Sequence, residues 1–354
     1  MNIQVTKTAS PLPKPQDETS LGFGKKFSDH MFVMDYAEGK GWFNERIVPY
    51  GPFSIDPASP VLHYGQEIFE GLKAYRSANN DILLFRPRDN ALRMNRSAER
   101  MCMPPIDPDE HVEAIKAIVD CERDWVPSNE GTSLYLRPTM IADGSELGVH
   151  AAHKYIHYII CSPSGAYYKN GLAPISIYVE DKYVRAVKGG TGFAKTGGNY
   201  ASSMLAALEA EKKGFDQVLW LDGMERKYVE EVGAMNMMFI IDDVLVTAAL
   251  EGSILAGVTR MSILQLARDM GIKVEERQLS IDELMKAGKS GALKEAFGTG
   301  TAAVISPVGK LTFKEETITV NNGEIGSLTQ KFYDTLTGIQ TGKLEDKYGW
   351  VVKV

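Results

Sequence analysis

The chain has 354 residues, 44% of them hydrophobic and 24% charged, with a formal net charge of −7. That length allows about two domains with sizeable cores, and the acidic balance without any basic tract speaks against nucleic acid or an anionic membrane as partner. The apolar runs are too short to span a bilayer, and the three cysteines form no CxxC or Cys/His cluster, so no metal centre is expected and a reducing, cytoplasmic setting suits the chain.

Residues 1–22 are polar and rich in proline, lack the apolar core of a signal peptide, and are expected as a flexible N-terminal arm. Residues 23–162 read as a small α+β domain. HMFVMDY and GWFNERIVPYG are strands around the turn AEGKG, EIFEGLKAYR (67–76) has the pattern of an amphipathic helix, and ILLFRP is a strand. RDNALRMNRSAERM and PDEHVEAIKAIVDCERDWV are helices, the second capped by Asp107, and SLYLRPTMI and KYIHYIICS are strands. Residues 163–174, which include Tyr167 and Tyr168, collect Ser, Gly and Pro and form the expected linker. The large domain, 175–354, opens with the strand ISIYV. A helix over 199–214 is expected to turn Met204, Leu205 and Leu208 inward. QVLWL then turns at Asp222-Gly223 into a strand ending near Glu231. AMNMMFII and VLVTAA pair, GVTRMSILQLARDMG is a helix, two short helices follow, and two strands and a final helix close the chain.

The segment GGTGFAKTGG (189–198) nearly spells a phosphate-binding P-loop, but Ala194 replaces its second glycine. QVLWLD even imitates the strand ending in a magnesium-binding aspartate. Two features weigh against an NTPase: Gly197 and Gly198 delay the helix that should hold Lys195, and Asp222-Gly223 is an ordinary turn sequence. A lysine in a glycine-rich, partly desolvated segment has another use, as a neutral nucleophile that forms Schiff bases, most often with pyridoxal 5′-phosphate. That cofactor needs a carboxylate at its ring nitrogen, an anion site and a donor to its phenolic oxygen. Glu231 in VEEVGAMN, the helix start at Gly257, Val258 and Thr259, the small-residue turn GTGTAA (298–303) and Tyr200 can supply them. Singly, each has a plainer reading, as a solvated strand-end acid or a helix cap.

LHYGQEIFEGLKAYR, SLYLRPTMI, KTGGNYASS, EEVGAMN, LAGVTR and GTGTAA occur in one order. In that order, from about Phe23 to near the C-terminus, the chain resembles the branched-chain-amino-acid aminotransferases. The resemblance implies a two-domain α+β fold-type IV architecture, like that of D-amino-acid aminotransferase. It implies transfer of an amino group between L-leucine, L-isoleucine or L-valine and 2-oxoglutarate, in biosynthesis or degradation of those amino acids. Lys195 would carry pyridoxal 5′-phosphate and shuttle the proton, Tyr200 would meet its phenolic oxygen, and Glu231 its ring nitrogen. Arg93, Val258, Thr259 and Thr301 would hold the phosphate, with Arg185 a further candidate, and Leu255 would pack on the ring. Tyr64, Phe69, Tyr135 and Arg137 would form the side-chain pocket, Arg137 serving the carboxylate of glutamate, and Ala302 would face the substrate α-carboxylate. A homodimer or higher homo-oligomer is implied as well. Two departures stand out. Ala303 and Ser306 occupy the positions of a redox CxxC in the animal enzymes, and Ala234 replaces a threonine beside the carboxylate. D-amino-acid aminotransferases and aminodeoxychorismate lyases share the cofactor set and remain the nearest alternatives.

Overall fold

The computed structural model describes residues 1–165 and 172–354, so Tyr167 and Tyr168 lie outside the described residues. The chain forms two units. The first comprises Met1–Lys169, Ala194–Gly197 and Gly338–Val354, and the second Asn170–Phe193 and Gly198–Thr337. A single cut within 163–174 does not describe this division, because the lysine segment and the C-terminus belong with the N-terminal unit.

In the first unit the elements are β1 (Gln4–Val5), β2 (His30–Ala37), β3 (Gly41–Pro49), α1 (Pro60–Tyr64), β4 (Glu67–Phe69), β5 (Leu72–Arg76), β6 (Ile82–Phe85), α2 (Pro87–Arg100), α3 (Pro108–Cys121), β7 (Ser133–Asp143) and β8 (Lys154–Ser164). The sheet runs β1-β3-β2-β8-β7-β5-β6 and ends on the C-terminal strand Val351–Lys353, with β4 also paired to β7. Alternation along β7 sets its two faces. Leu134, Leu136, Met140 and Ala142 enter the core, where Met94 and Ala98 of α2 and Ile115 and Ile118 of α3 cover them. The side chains of Tyr135, Arg137 and Thr139 therefore belong to the other face.

Residues 67–76 are two strands rather than the expected helix. Ile68 and Leu72 are four apart, a spacing that fits both periods, and pairing decides between them. Ile68 lies opposite Met140, Leu72 opposite Leu136 and Ala74 opposite Leu134. The expected flexible arm is also tied down. β1 pairs in parallel with β3, the Thr8 amide donates to His30 Nε2 at 2.9 Å, the Leu12 amide donates to Asp29 at 2.7 Å, and Leu21 is buried.

In the second unit the elements are β9 (Ile175–Glu180), α4 (Gly198–Ala201), α5 (Met204–Lys212), β10 (Gln217–Leu221), β11 (Val229–Val232), β12 (Met235–Ile241), β13 (Val244–Thr247), α6 (Val258–Asp269), β14 (Val274–Glu276), α7 (Ile281–Ser290), β15 (Leu293–Gly300), β16 (Val304–Phe313) and β17 (Glu316–Thr319). α8 (Ser327–Gln340) follows and leads back to the first unit. β11 pairs with both β10 and β12, so β11-β10-β9-β16-β15-β12 close into a ring. Only one of the two short helices expected after α6 exists, since 293–300 is a ring strand. The helix expected over 199–214 is broken where the Ser202 and Ser203 hydroxyls donate back to the carbonyls of Asn199 and Tyr200. The break changes the buried face: Ala206 and Ala210 pack against Val218 and Trp220, whereas Met204, Leu205 and Leu208 are exposed, contrary to expectation. Among the described residues no helix is long and apolar enough to cross a membrane.

His111 on α3 and His157 on β8 meet edge to face in the first core, 4.9 Å between ring centroids. Burial pushes His111 down to about 4, the charge of Glu70 resisting, and burial followed by the neighbouring His111 drives His157 well below the ordinary range. Both rings are therefore neutral when folded and charge freely once unfolded. The penalty is absent above about pH 6.5 and grows as pH falls towards 4, to about 3 kcal/mol for His111 alone. Urea midpoints are expected to fall across that window, and His111→Leu should flatten the fall.

Candidate active site

The lysine segment is fastened to the first unit through its backbone. The Lys195 amide donates to Ser97 Oγ at 2.9 Å, and the Lys195 carbonyl accepts from the Phe69 amide at 3.0 Å. The Gly197 amide donates to Glu67 Oε1, and a β-carbon on Gly197 would collide with that oxygen, so the approach requires glycine. Lys195 Nζ lies 4.8 Å from the centroid of the Phe69 ring, and the Arg137 guanidinium 4.7 Å from the same ring. Arg137 also donates to Tyr135 Oη at 3.1 Å, while its buried Nε has no partner among the described residues. A β-carbon on Gly71 would collide with the Tyr135 hydroxyl. Tyr64, at the end of α1, is exposed.

Arg93 and Ser97 are one turn apart on α2 and both are buried. Arg93 grips the fully buried Glu70 with two bonds, Nε to Oε1 at 2.8 Å and Nη2 to Oε2 at 2.7 Å, and Asn90 adds a third at 2.8 Å. Burial by itself would raise the Glu70 carboxyl, but Arg93 outweighs it and holds the group below the ordinary range. Arg93, Arg96 and Arg100 share a spacing, yet only Arg93 is buried.

In the second unit Glu231 is buried on β11. Oε1 accepts from Asn236 Nδ2 at 2.8 Å, and Oε2 lies 2.9 Å from Arg185 Nη2. Asn236 also donates to the Leu255 carbonyl at 2.9 Å, and a β-carbon on Gly257 would strike its Oδ1. Gly257 is the N-cap of α6 without any capping side chain, which leaves the first amides of α6, at Val258 and Thr259, to another acceptor. Arg185 donates to the Ser253 carbonyl as well, and its buried Nε has no partner among the described residues. Thr301 and Ala302 form the turn between β15 and β16, which ends on Val304 at φ 62°, a costly conformation for a β-branched residue. Tyr200 lies in α4, which two hydrogen bonds between Asn199 and Thr191 fasten to the glycine-rich segment.

These features dispose of the nucleotide reading. Lys195 precedes α4 instead of standing inside a helix N-terminus. Asp222 serves its turn: burial would raise its carboxyl, but the amides of Glu225, Tyr228, Lys227 and Met224 carry it below the ordinary range.

Residues 67–311 match the amino-transferase class IV family. The chain belongs to the class IV aminotransferases. It is 55% identical to branched-chain-amino-acid aminotransferase 2 of Bacillus subtilis over 352 residues, 99% of this chain and 97% of that one. Within the family it groups with the branched-chain-amino-acid aminotransferases. The crystal structure of the Escherichia coli branched-chain amino acid aminotransferase superposes with a TM-score of 0.76 at 30% identity, over 90% of this chain and 98% of that one. The branched-chain aminotransferase of the thermophilic archaeon Thermoproteus uzoniensis, crystallised with norvaline, also gives 0.76, at 27% identity over 92% and 99%.

In this class IV aminotransferase the first unit brings Lys195, Phe69, Tyr135, Arg137 and, one layer below, Arg93 into one neighbourhood. The second gathers Glu231, Arg185, Leu255, Val258 and Thr259. Sequence reading missed Ser97, Glu70, Glu67 and Asn236, whose work is to hold the others. Glu67 and Glu70 were hidden by the helical reading of 67–76, and Asn236 looked like one more residue of an apolar strand. Asn236→Ala removes both of its bonds and leaves Glu231 one donor short, and is expected to destabilise the protein by about 1–3 kcal/mol in urea melts.

Proposed function

We propose that this chain exchanges an amino group between a branched-chain L-amino acid (leucine, isoleucine or valine) and 2-oxoglutarate, with pyridoxal 5′-phosphate as carrier. The donor set suits that group. Glu231 is buried with Asn236 and Arg185 as donors, no side chain caps the first amides of α6, and the buried Nε of Arg185 meets no acceptor among the described residues. The observation that carries the reading is the double backbone grip on Lys195, which fixes the root of one amine and leaves its side chain against the Phe69 ring.

When bound, the cofactor supplies an electron sink for the substrate α-carbon. Lys195 would hold the cofactor covalently and, once displaced by substrate, take and return the α-proton. Glu231, held by Asn236 and Arg185, would hold the ring nitrogen protonated. Tyr200 would donate to the phenolic oxygen. Val258, Thr259 and Thr301 would offer backbone amides to the phosphate, Arg93 and Arg185 would add charge, and Leu255 would pack on the ring. Ala302 would face the α-carboxylate. Tyr64, Phe69 and Tyr135 would bury a branched side chain, worth about 1.5–3 kcal/mol. Arg137 would meet the second carboxylate of glutamate. Ala234 sits just beyond Glu231, and the Asn236 amide does the orienting there. A cytoplasmic homodimer or higher homo-oligomer fits this reading.

The test is a leucine and 2-oxoglutarate assay run beside D-alanine and aminodeoxychorismate. Glutamate and 4-methyl-2-oxopentanoate should form in equal amounts, and only with leucine. Borohydride reduction of the holoenzyme should label Lys195 alone, and Lys195→Ala should abolish both label and turnover. A label on another lysine would overturn the assignment.

A further inference from the structure

A pocket that accepts leucine and glutamate in turn has an electrostatic difficulty, and on the reading above this chain must solve it. Arg137 favours a carboxylate side chain and, left unbalanced, disfavours a hydrocarbon one, since a desolvated cation needs a counter-charge. The face of the first unit that carries Arg137 also carries that counter-charge. Glu67 and Phe69 occupy alternate positions of β4, Phe69 opposite Thr139 and Glu67 opposite Ile141 on β7. Both therefore belong to the side of the sheet that holds Arg137 and Tyr135. Phe69 has the Arg137 guanidinium at 4.7 Å from its ring centroid, and Glu67 feels the same guanidinium.

We propose that Glu67 is a proton-accepting counter-ion to Arg137 that lets one pocket serve both substrates. With a hydrocarbon side chain in place, Glu67 is ionised and balances Arg137. When a second carboxylate arrives, Glu67 takes one proton from solvent, Arg137 pairs with the newcomer, and the net charge of the pocket is unchanged. The product carboxylate leaves as that proton returns to solvent.

The surroundings of Glu67 suit the role. It is partly buried, and burial pushes its carboxyl above the ordinary glutamate range, with the Gly197 amide and Arg137 pulling back. Among the described residues, the groups facing it are Arg137 from β7, Tyr158 from β8 and the lysine segment through Gly197. Tyr158 is itself pushed up, by burial first, and Glu67 adds to the effect while Arg137 opposes it. Arg137 is thus the one charge among these that favours ionisation, and it is the charge an acidic substrate would occupy. Removing it from Glu67 and adding a like charge nearby both raise the carboxyl further.

Glu67→Gln separates charge from anchoring, because its amide oxygen can still accept from Gly197. Two acceptors are compared by their KM values: 2-oxoglutarate, a dianion throughout, and 4-methyl-2-oxopentanoate, which has the leucine side chain and the same reacting group. For the wild-type holoenzyme the first value divided by the second should climb with pH between about pH 6 and 9, approaching about 10-fold per pH unit where each binding event draws a full proton from solvent. In Glu67→Gln the ratio should be flat and equal to the low-pH wild-type value. A flat wild-type ratio, or a slope that survives in the variant, would overturn the proposal. A variant in which both KM values shift together would show that Glu67 only holds the lysine segment. Calorimetry on the wild-type holoenzyme stands apart from any folding defect. In two buffers of different ionisation enthalpy near pH 7, glutarate should take up more protons than 4-methylpentanoate, and equal uptake would refute the idea. The underlying assignment fails separately, through absence of turnover with leucine and 2-oxoglutarate.

Discussion

The arrangement depends on a backbone constraint: Lys195 is held by its own amide and carbonyl, from Ser97 on α2 and Phe69 on β4. A lysine side chain has four rotatable bonds, so its amine can be placed only if its root is fixed. Two hydrogen bonds on opposite sides of one residue do that without touching the side chain. The glycines around it have complementary work. Gly197 admits the Glu67 carboxylate to its amide, and the segment 189–193 is clamped to α4 through Asn199.

The charged groups of the proposed site are held by buried partners. Arg93 is kept by Glu70 and Glu231 by Asn236 and Arg185, and these carboxylates are removed from solvent. A buried carboxylate without such donors would take up a proton, and the site would lose its charge pattern. In the first unit the charged chemistry and the apolar core are separated by strand alternation: odd positions of β7 carry Tyr135 and Arg137, even positions fill the core. One strand therefore serves both the core and the face that carries the proposed pocket.

The same economy shapes β4. In three residues it places Ile68 in the core and Glu67 and Phe69 on the opposite face, while the Phe69 amide holds the lysine carbonyl. Its neighbour Glu70 turns inward to Arg93. Four consecutive side chains of EIFE thus have four different tasks, which explains why no single periodicity describes them.

Much was legible in the sequence. The order of the motifs identified the family, while the glycine pattern around Lys195, the carboxylate after an apolar strand and the start of α6 pointed to the proposed site, because reactive residue types are few and their spacing is local. Long periodic segments such as α2, α3, β7 and β8 were also readable, since the inward face of each is predominantly apolar, with Arg93 and Ser97 on α2, His111 on α3 and His157 on β8 among the buried exceptions. Tertiary structure alone decided the rest. Residues 67–76 satisfy both helical and strand spacing until Leu134, Leu136 and Met140 arrive from elsewhere in the chain to pair with them. Met204, Leu205 and Leu208 were assigned inward by hydrophobicity, but the hydroxyls of Ser202 and Ser203 interrupt the helix and turn Ala206 and Ala210 to the core. The supporting residues Glu70, Ser97 and Asn236 carry no signature of their own. Their meaning comes from what lies within about 3 Å of them in the folded chain, a distance that sequence separation does not encode.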